Sequence, residues 1–133
     1  MKRFVDTNIV VYNYANVEPD KYRKASDAFL GIGRVCSTQV LSELSNVLSS
    51  KFHFTWPEID AIADEVVSAV DILTVSITTI KKARALSERY KYSYYDSLIL
   101  ASAIEAGCDI LYSEDFQHNQ VIEGVRIVNP FLL

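Results

Sequence analysis

The chain has 133 residues, half of them hydrophobic, with 13 Lys and Arg against 17 Asp and Glu and a formal net charge of −4. That length fits a single domain over residues 1–133, burying roughly two thirds of the surface its unfolded form would expose. No apolar run approaches a membrane span, and charges at Lys2, Arg3 and Asp6 come too early for a signal peptide, so the sequence predicts a soluble cytoplasmic protein with no membrane association.

Phe4-Val5 reads as a short first strand that stops at Asp6-Thr7-Asn8. Ile9 through Tyr14 suit a short helix that Asp6 or Thr7 would cap. Pro19 to Leu30 reads as a second helix, with Tyr22, Ala25, Ala28 and Phe29 inward, Lys21, Arg23 and Lys24 outward, and Gly31 and Gly33 ending it. Arg34-Val35-Cys36-Ser37 is the next strand, and Thr38 opens a helix on which Val40, Leu41, Leu44, Val47 and Leu48 recur at helical spacing. Glu43 lies three residues after Val40 and four before Val47, so it shares their side, an odd place for an ordinary surface Glu. Cys36 and Cys108 lie far apart, lack a CxxC pattern and adjoin apolar residues, and are read as buried free thiols.

Thr55, Pro57 and Glu58 form a capping-box start for a helix carrying Ile59, Ile62, Val66 and Val70, which reads as scaffold. Ile72 to Val75 is a third strand, followed by a helix over about 78–90 with Lys81, Lys82 and Arg84 outward. Asp96-Ser97 is read as the start of a helix that is apolar nearly all round through Ile104, and so packs on more than one side. Asp109 to Ser113 is the fourth strand, ending at Glu114-Asp115, and Val125 to Val128 is the last, before Asn129-Pro130-Phe131. Strands separated by helices of this length predict an α/β fold with a mainly parallel sheet of four to five strands covered on both faces.

In such a sheet a ligand site lies outside the carboxyl ends of the strands. Asp6 and Asp115 fall at two of those ends, Asp96 opens the helix feeding the last of them, and Glu43 follows the second strand. Two unpaired carboxylates about 5 Å apart repel by roughly 3 kcal/mol at an effective dielectric of 20, and four would be several times worse. A hard divalent cation, Mg²⁺ or Mn²⁺, supplies the counter-charge and prefers oxygen ligands, whereas the lack of His and Cys in the set argues against zinc. Taken singly, Asp6 and Asp96 read first as helix caps, Asp115 as a turn residue, and Glu43 as the partner of a nearby Lys; their joint fit to one edge shifts the balance towards a metal.

The order and spacing of Asp6-Thr7-Asn8, Glu43, Tyr95-Asp96-Ser97, Ser113-Glu114-Asp115-Phe116 and Asn129-Pro130-Phe131 resemble the PIN-domain ribonucleases, and within them the VapC-type toxins of toxin-antitoxin pairs. The resemblance implies a three-layer α/β/α fold and a metal-dependent endoribonuclease. In it Asp6, Glu43, Asp96 and Asp115 are the catalytic and metal-binding quartet, and Ser113 is a neighbouring polar group. It implies Mg²⁺ or Mn²⁺ as cofactor, RNA as substrate, a cognate antitoxin protein that covers the site, and a homodimer packed through helices. Apolar residues near Val10, Tyr14, Leu48 and Phe52 could serve either protein interface or the core.

Setting the quartet aside leaves thirteen acids against thirteen bases. Lys21, Arg23 and Lys24, or Lys81, Lys82 and Arg84, then offer either a basic rim for phosphates or a solvated helix face. His53 and His118 read as surface or loop residues, and Tyr92, Tyr94 and Tyr95 as packing residues before stacking platforms. Two other classes compete with the nuclease. A phosphate-responsive receiver domain would need paired acids after the first strand and a Lys at the end of the last, which Asp6-Thr7-Asn8 and Asn129-Pro130 do not supply. A catalytically silent module gripping RNA or protein would keep the fold without the cleavage.

Overall fold

Apolar triplets and quadruplets punctuated by polar turns produce short strands, and longer 3.6-periodic stretches produce the helices between them. The computed structural model describes residues 1–133. It contains β1 (Arg3–Val5), α1 (Thr7–Val11), α2 (Pro19–Phe29), β2 (Arg34–Ser37), α3 (Thr38–Ser50), α4 (Trp56–Ala69), β3 (Asp71–Leu73), α5 (Ile77–Tyr90), α6 (Tyr94–Glu105), β4 (Ile110–Tyr112), β5 (Val121–Ile122), β6 (Val125–Val128) and a closing 3₁₀ turn at Pro130–Leu132. The strands form one sheet in the order β3-β2-β1-β4-β6-β5. All neighbours are parallel except β5 and β6.

The sheet has one strand more than the sequence suggested. β5 is only two residues long and returns into β6 through Glu123 and Gly124, both at positive φ (47° and 84°), as a two-residue primed hairpin turn requires. The mainly parallel α/β architecture is the one expected. β1 lies at the centre, between β2 and β4, so Phe4 and Val5 are fully buried. Its entry is fixed by backbone contact: Arg3 N–H donates to the Gly33 carbonyl at 2.9 Å. Gly33 itself has φ of 77°, and a Cβ there would fall 2.4 Å from the Met1 carbonyl oxygen, so only glycine fits.

α6 is buried at every position from Ser97 to Ala103, as its all-round apolar character implies, and packs against α5, β2 and β4. Its start differs from the expected one. Ser93 is the N-cap, accepting from the Asp96 amide at 3.2 Å, and Asp96 sits inside the first turn. A Ser three residues ahead of an Asp offers the helix two possible caps, and here the earlier one wins, leaving the Asp96 carboxylate free of that duty. α4 begins on the capping box of Thr55 and Glu58, with Glu58 N–H on Thr55 Oγ1 at 3.3 Å and Thr55 N–H on Glu58 Oε1 at 2.9 Å.

Both cysteines are free and buried. Val10 and Leu48 are fully buried, so neither is available to a protein interface, and Tyr14 and Phe52 pack half-buried against the core. Tyr22, expected inward on α2, is about half exposed, at 48%. No helix is long and apolar enough to cross a membrane.

Candidate active site

β1 and β4 run side by side in parallel, so their carboxyl ends emerge together, and the loops that leave them carry Asp6 and Asp115. Asp6 is buried, at 4% exposure, and caps α1 by accepting from the Thr7 amide at 2.7 Å through Oδ1. Its other oxygen accepts from the Ser113 hydroxyl at 2.7 Å. The same hydroxyl accepts from the Asp115 amide at 3.1 Å. One fully buried serine therefore joins two acids that lie more than a hundred residues apart.

Glu43 reaches the same place from α3, because α3 packs against α1. Its Oε1 accepts from the Thr7 hydroxyl at 2.6 Å. Asp96 arrives from the first turn of α6. Together Asp6, Glu43, Asp96 and Asp115 line an open cleft of about 390 Å³, along with Thr7, Asn8, Ser42, Asn46, Val47 and Ile99. The four acids chosen from the sequence are thus brought to one cleft. No three of them stand close enough to form a ready-made ligand set.

The electrostatics reflect that crowding. Burial, opposed by the hydrogen bonds from Ser113 and Thr7, pushes the Asp6 carboxyl up to about 7, with the charges of Asp115 and Glu43 adding to the rise. Asp115 is also raised, by partial burial first and then by Asp96, Glu114 and Glu43. No Lys or Arg lines the cleft to offset these charges. The donor chemistry fits a hard cation: every ionisable group is a carboxylate, surrounded by amide and hydroxyl side chains, with no sulfur or imidazole. Mg²⁺ keeps much of its water shell and needs only one or two direct carboxylates, which suits acids that are gathered without being clustered.

Model of the PIN domain family matches residues 3–123, nearly the whole chain. The chain belongs to the PIN domain family. Solved structures share its fold. A sarcin-ricin-loop-cleaving VapC toxin of Mycobacterium tuberculosis is 20% identical, with a TM-score of 0.70 over 86% of this chain and 90% of that one. A toxin-antitoxin complex from Klebsiella pneumoniae is 24% identical, with a TM-score of 0.71 over 97% and 98%. A VapBC complex of Rickettsia felis bound to a DNA fragment from its promoter is 20% identical, with a TM-score of 0.65 over 96% and 97%. At these identities the likeness is one of fold. No curated protein sequence matches significantly.

Within this PIN domain the adjacent acids Glu114 and Asp115 separate. Glu114 accepts from the Tyr12 hydroxyl and lines a different cleft with Lys21, Asn129 and Phe131, while Asp115 faces the acidic one. None of the suggested rim residues lines the acidic cleft; among them Arg23 and Lys24 pair with Asp20 at 2.6 and 3.5 Å, and Lys82 pairs with Glu123 at 2.6 Å. His118 Nδ1 accepts from the Asn129 amide at 2.9 Å, a loop role. Tyr92 packs edge-on against Phe116, whereas Tyr95 is 66% exposed.

Sequence reasoning missed Thr7 as the partner of Glu43, and the neighbours Asn8, Ser42 and Asn46. A signal was present. Gln39, Ser42, Glu43 and Asn46 recur at three- and four-residue steps, a polar stripe along α3 beside its apolar one.

Proposed function

We propose that this PIN domain is a metal-dependent endoribonuclease acting in the cytoplasm as the toxin of a toxin-antitoxin pair. The observation that carries the reading is the convergence of Asp6, Glu43, Asp96 and Asp115 on one cleft that no basic residue lines. An RNA phosphate would be repelled from such a cleft unless a cation shared it. Asp6, Glu43, Asp96 and Asp115 would hold Mg²⁺ or Mn²⁺, which when bound supplies Lewis-acid activation of water and neutralises charge on the phosphate. The chain's own part is positioning. Ser113 and the Thr7 amide orient Asp6, and the Thr7 hydroxyl orients Glu43. Asn8, Ser42 and Asn46 place neutral hydrogen-bonding groups along the walls, where they can meet phosphate or ribose oxygens.

An acidic cleft that open also suits a basic side chain inserted by a partner, which is how an antitoxin would silence it. The homodimer remains part of this reading, with an interface on residues other than Val10 and Leu48.

The test is purified protein on total RNA with Mg²⁺ or Mn²⁺, beside a chelator control. Cleavage should need the metal and vanish in Asp96→Asn. That variant should keep the fold and melt higher than the wild type in the absence of metal, since it relieves the charge that Asp96 places on Asp115. Retained cleavage in Asp96→Asn would remove that residue from the reaction. A second reading, a silent module that binds RNA or protein, would use the same cleft without the chemistry. RNA binding without cleavage at any metal concentration would select it.

A further inference from the structure

Gln39 stands one helical turn before Glu43 on α3 and is not among the residues that line the acidic cleft. Its side-chain amide nevertheless touches two parts of the site. Nε2 donates to the backbone carbonyl of Tyr95 at 3.0 Å and makes a longer contact, 3.5 Å, with Glu43 Oε2. Both partners are acceptors, so the NH₂ end must face them and the orientation of the amide follows. Tyr95 directly precedes Asp96. Gln39 thus spans from one acid to the turn that carries another, on the side of Glu43 opposite the Thr7 hydroxyl, which holds Oε1 at 2.6 Å.

This arrangement leaves a cost behind. With the NH₂ end so placed, Gln39 Oε1 is buried with no hydrogen-bond partner, one of only two such side-chain atoms in the chain. The other is Ser97 Oγ, next to Asp96. Buried polar atoms are ordinarily paired, and an apolar side chain of the same length would fill this space without the penalty. The stranded acceptor offsets what the hydrogen bond to Tyr95 contributes.

We infer that Gln39 is a positioning residue, an amide clamp that fixes the Glu43 carboxylate against the Asp96 turn of α6, at the expense of a stranded acceptor. The inference rests on the reading of the cleft as a metal site.

The experiment uses the full chain and the variant Gln39→Met, which keeps length and removes both donors. In metal-free protein it should melt at or above the wild-type temperature. Hydrogen exchange should quicken at the amides of Asp96 and Ser97, which are bonded to Ser93, while the rest of the helix is unchanged. Mn²⁺ affinity, followed by electron paramagnetic resonance, should weaken by roughly tenfold, as loss of an outer-shell partner does. In a Glu43→Gln background the same change should weaken Mn²⁺ affinity less than it does in the wild type, since only the contact with Tyr95 is left to lose. Unchanged affinity and exchange would overturn the clamp, as would a fall in melting temperature that parallels the loss of affinity. If the wild type itself bound no Mn²⁺, the metal reading would fall, and the exchange measurement alone would decide whether Gln39 holds the turn.

Discussion

Asp6 and Glu58 are the same kind of group in the same kind of place. Each carboxylate accepts a backbone hydrogen bond at the N-terminus of a helix, Asp6 from the Thr7 amide of α1 and Glu58 from the Thr55 amide of α4. Their acidities move in opposite directions. The hydrogen bonds from Thr55 hold Glu58, which stands in water, below the usual carboxylate range. Burial lifts Asp6 to about 7 although it too has two hydrogen bonds. The difference is solvent: an exposed cap keeps hydration and gains hydrogen bonds, while a buried one loses hydration that two hydrogen bonds do not replace. The α4 cap stabilises its helix, and the α1 cap carries a desolvation cost that a nearby positive charge would offset.

Asp6→Asn breaks the comparison most severely. Cleavage should fall by more than the roughly 10–100-fold that loss of an outer-shell partner costs. The same variant should change how stability depends on pH. Because the folded protein binds the Asp6 proton more tightly than the unfolded chain, stability in the absence of metal is fully present below the ordinary value of 3.8 and is lost as pH rises through about 7. That loss is on the order of 4 kcal/mol. Urea melts from pH 4 to above pH 8 should show it in the wild type and a flatter curve in Asp6→Asn. Saturating Mg²⁺ should flatten the wild-type curve as well.

Ser113→Ala removes one of the two hydrogen bonds that pull the Asp6 carboxyl down and leaves the Asp115 amide without its acceptor. It should cost about 1–3 kcal/mol. The pH at which stability declines should move upward, which the same melts would detect.

The smallest effect belongs to the exposed cap. Thr55→Ala should lower stability by about 1 kcal/mol and leave RNA cleavage unchanged. Any stability that Glu58 contributes is present at neutral pH and is lost as pH falls, the reverse of Asp6, because its folded acidity is depressed.

The α4 cap was fully legible in the sequence, since Thr55, Pro57 and Glu58 act within one turn of chain. The start of α6 was not, because Ser93 and Asp96 are both good caps, and the first is used in a fold that packs Tyr94 against the core. β5 escaped for a related reason. Two residues at an edge carry no period, and their pairing depends on β6 already being in place.

Composition and periodicity by themselves determined the α/β class and the mainly parallel sheet, and offered Asp6, Glu43, Asp96 and Asp115 as candidates at its carboxyl edge, because these follow from local pattern and from the rule that crossovers return strands in one direction. Only the tertiary structure decided that Glu114 turns to a separate cleft, that Ser113 couples Asp6 to Asp115, and that Thr7 and Gln39 bracket Glu43. Side-chain direction at a strand end and hydrogen bonds between distant segments are set by three-dimensional packing, and no local stretch of chain encodes them.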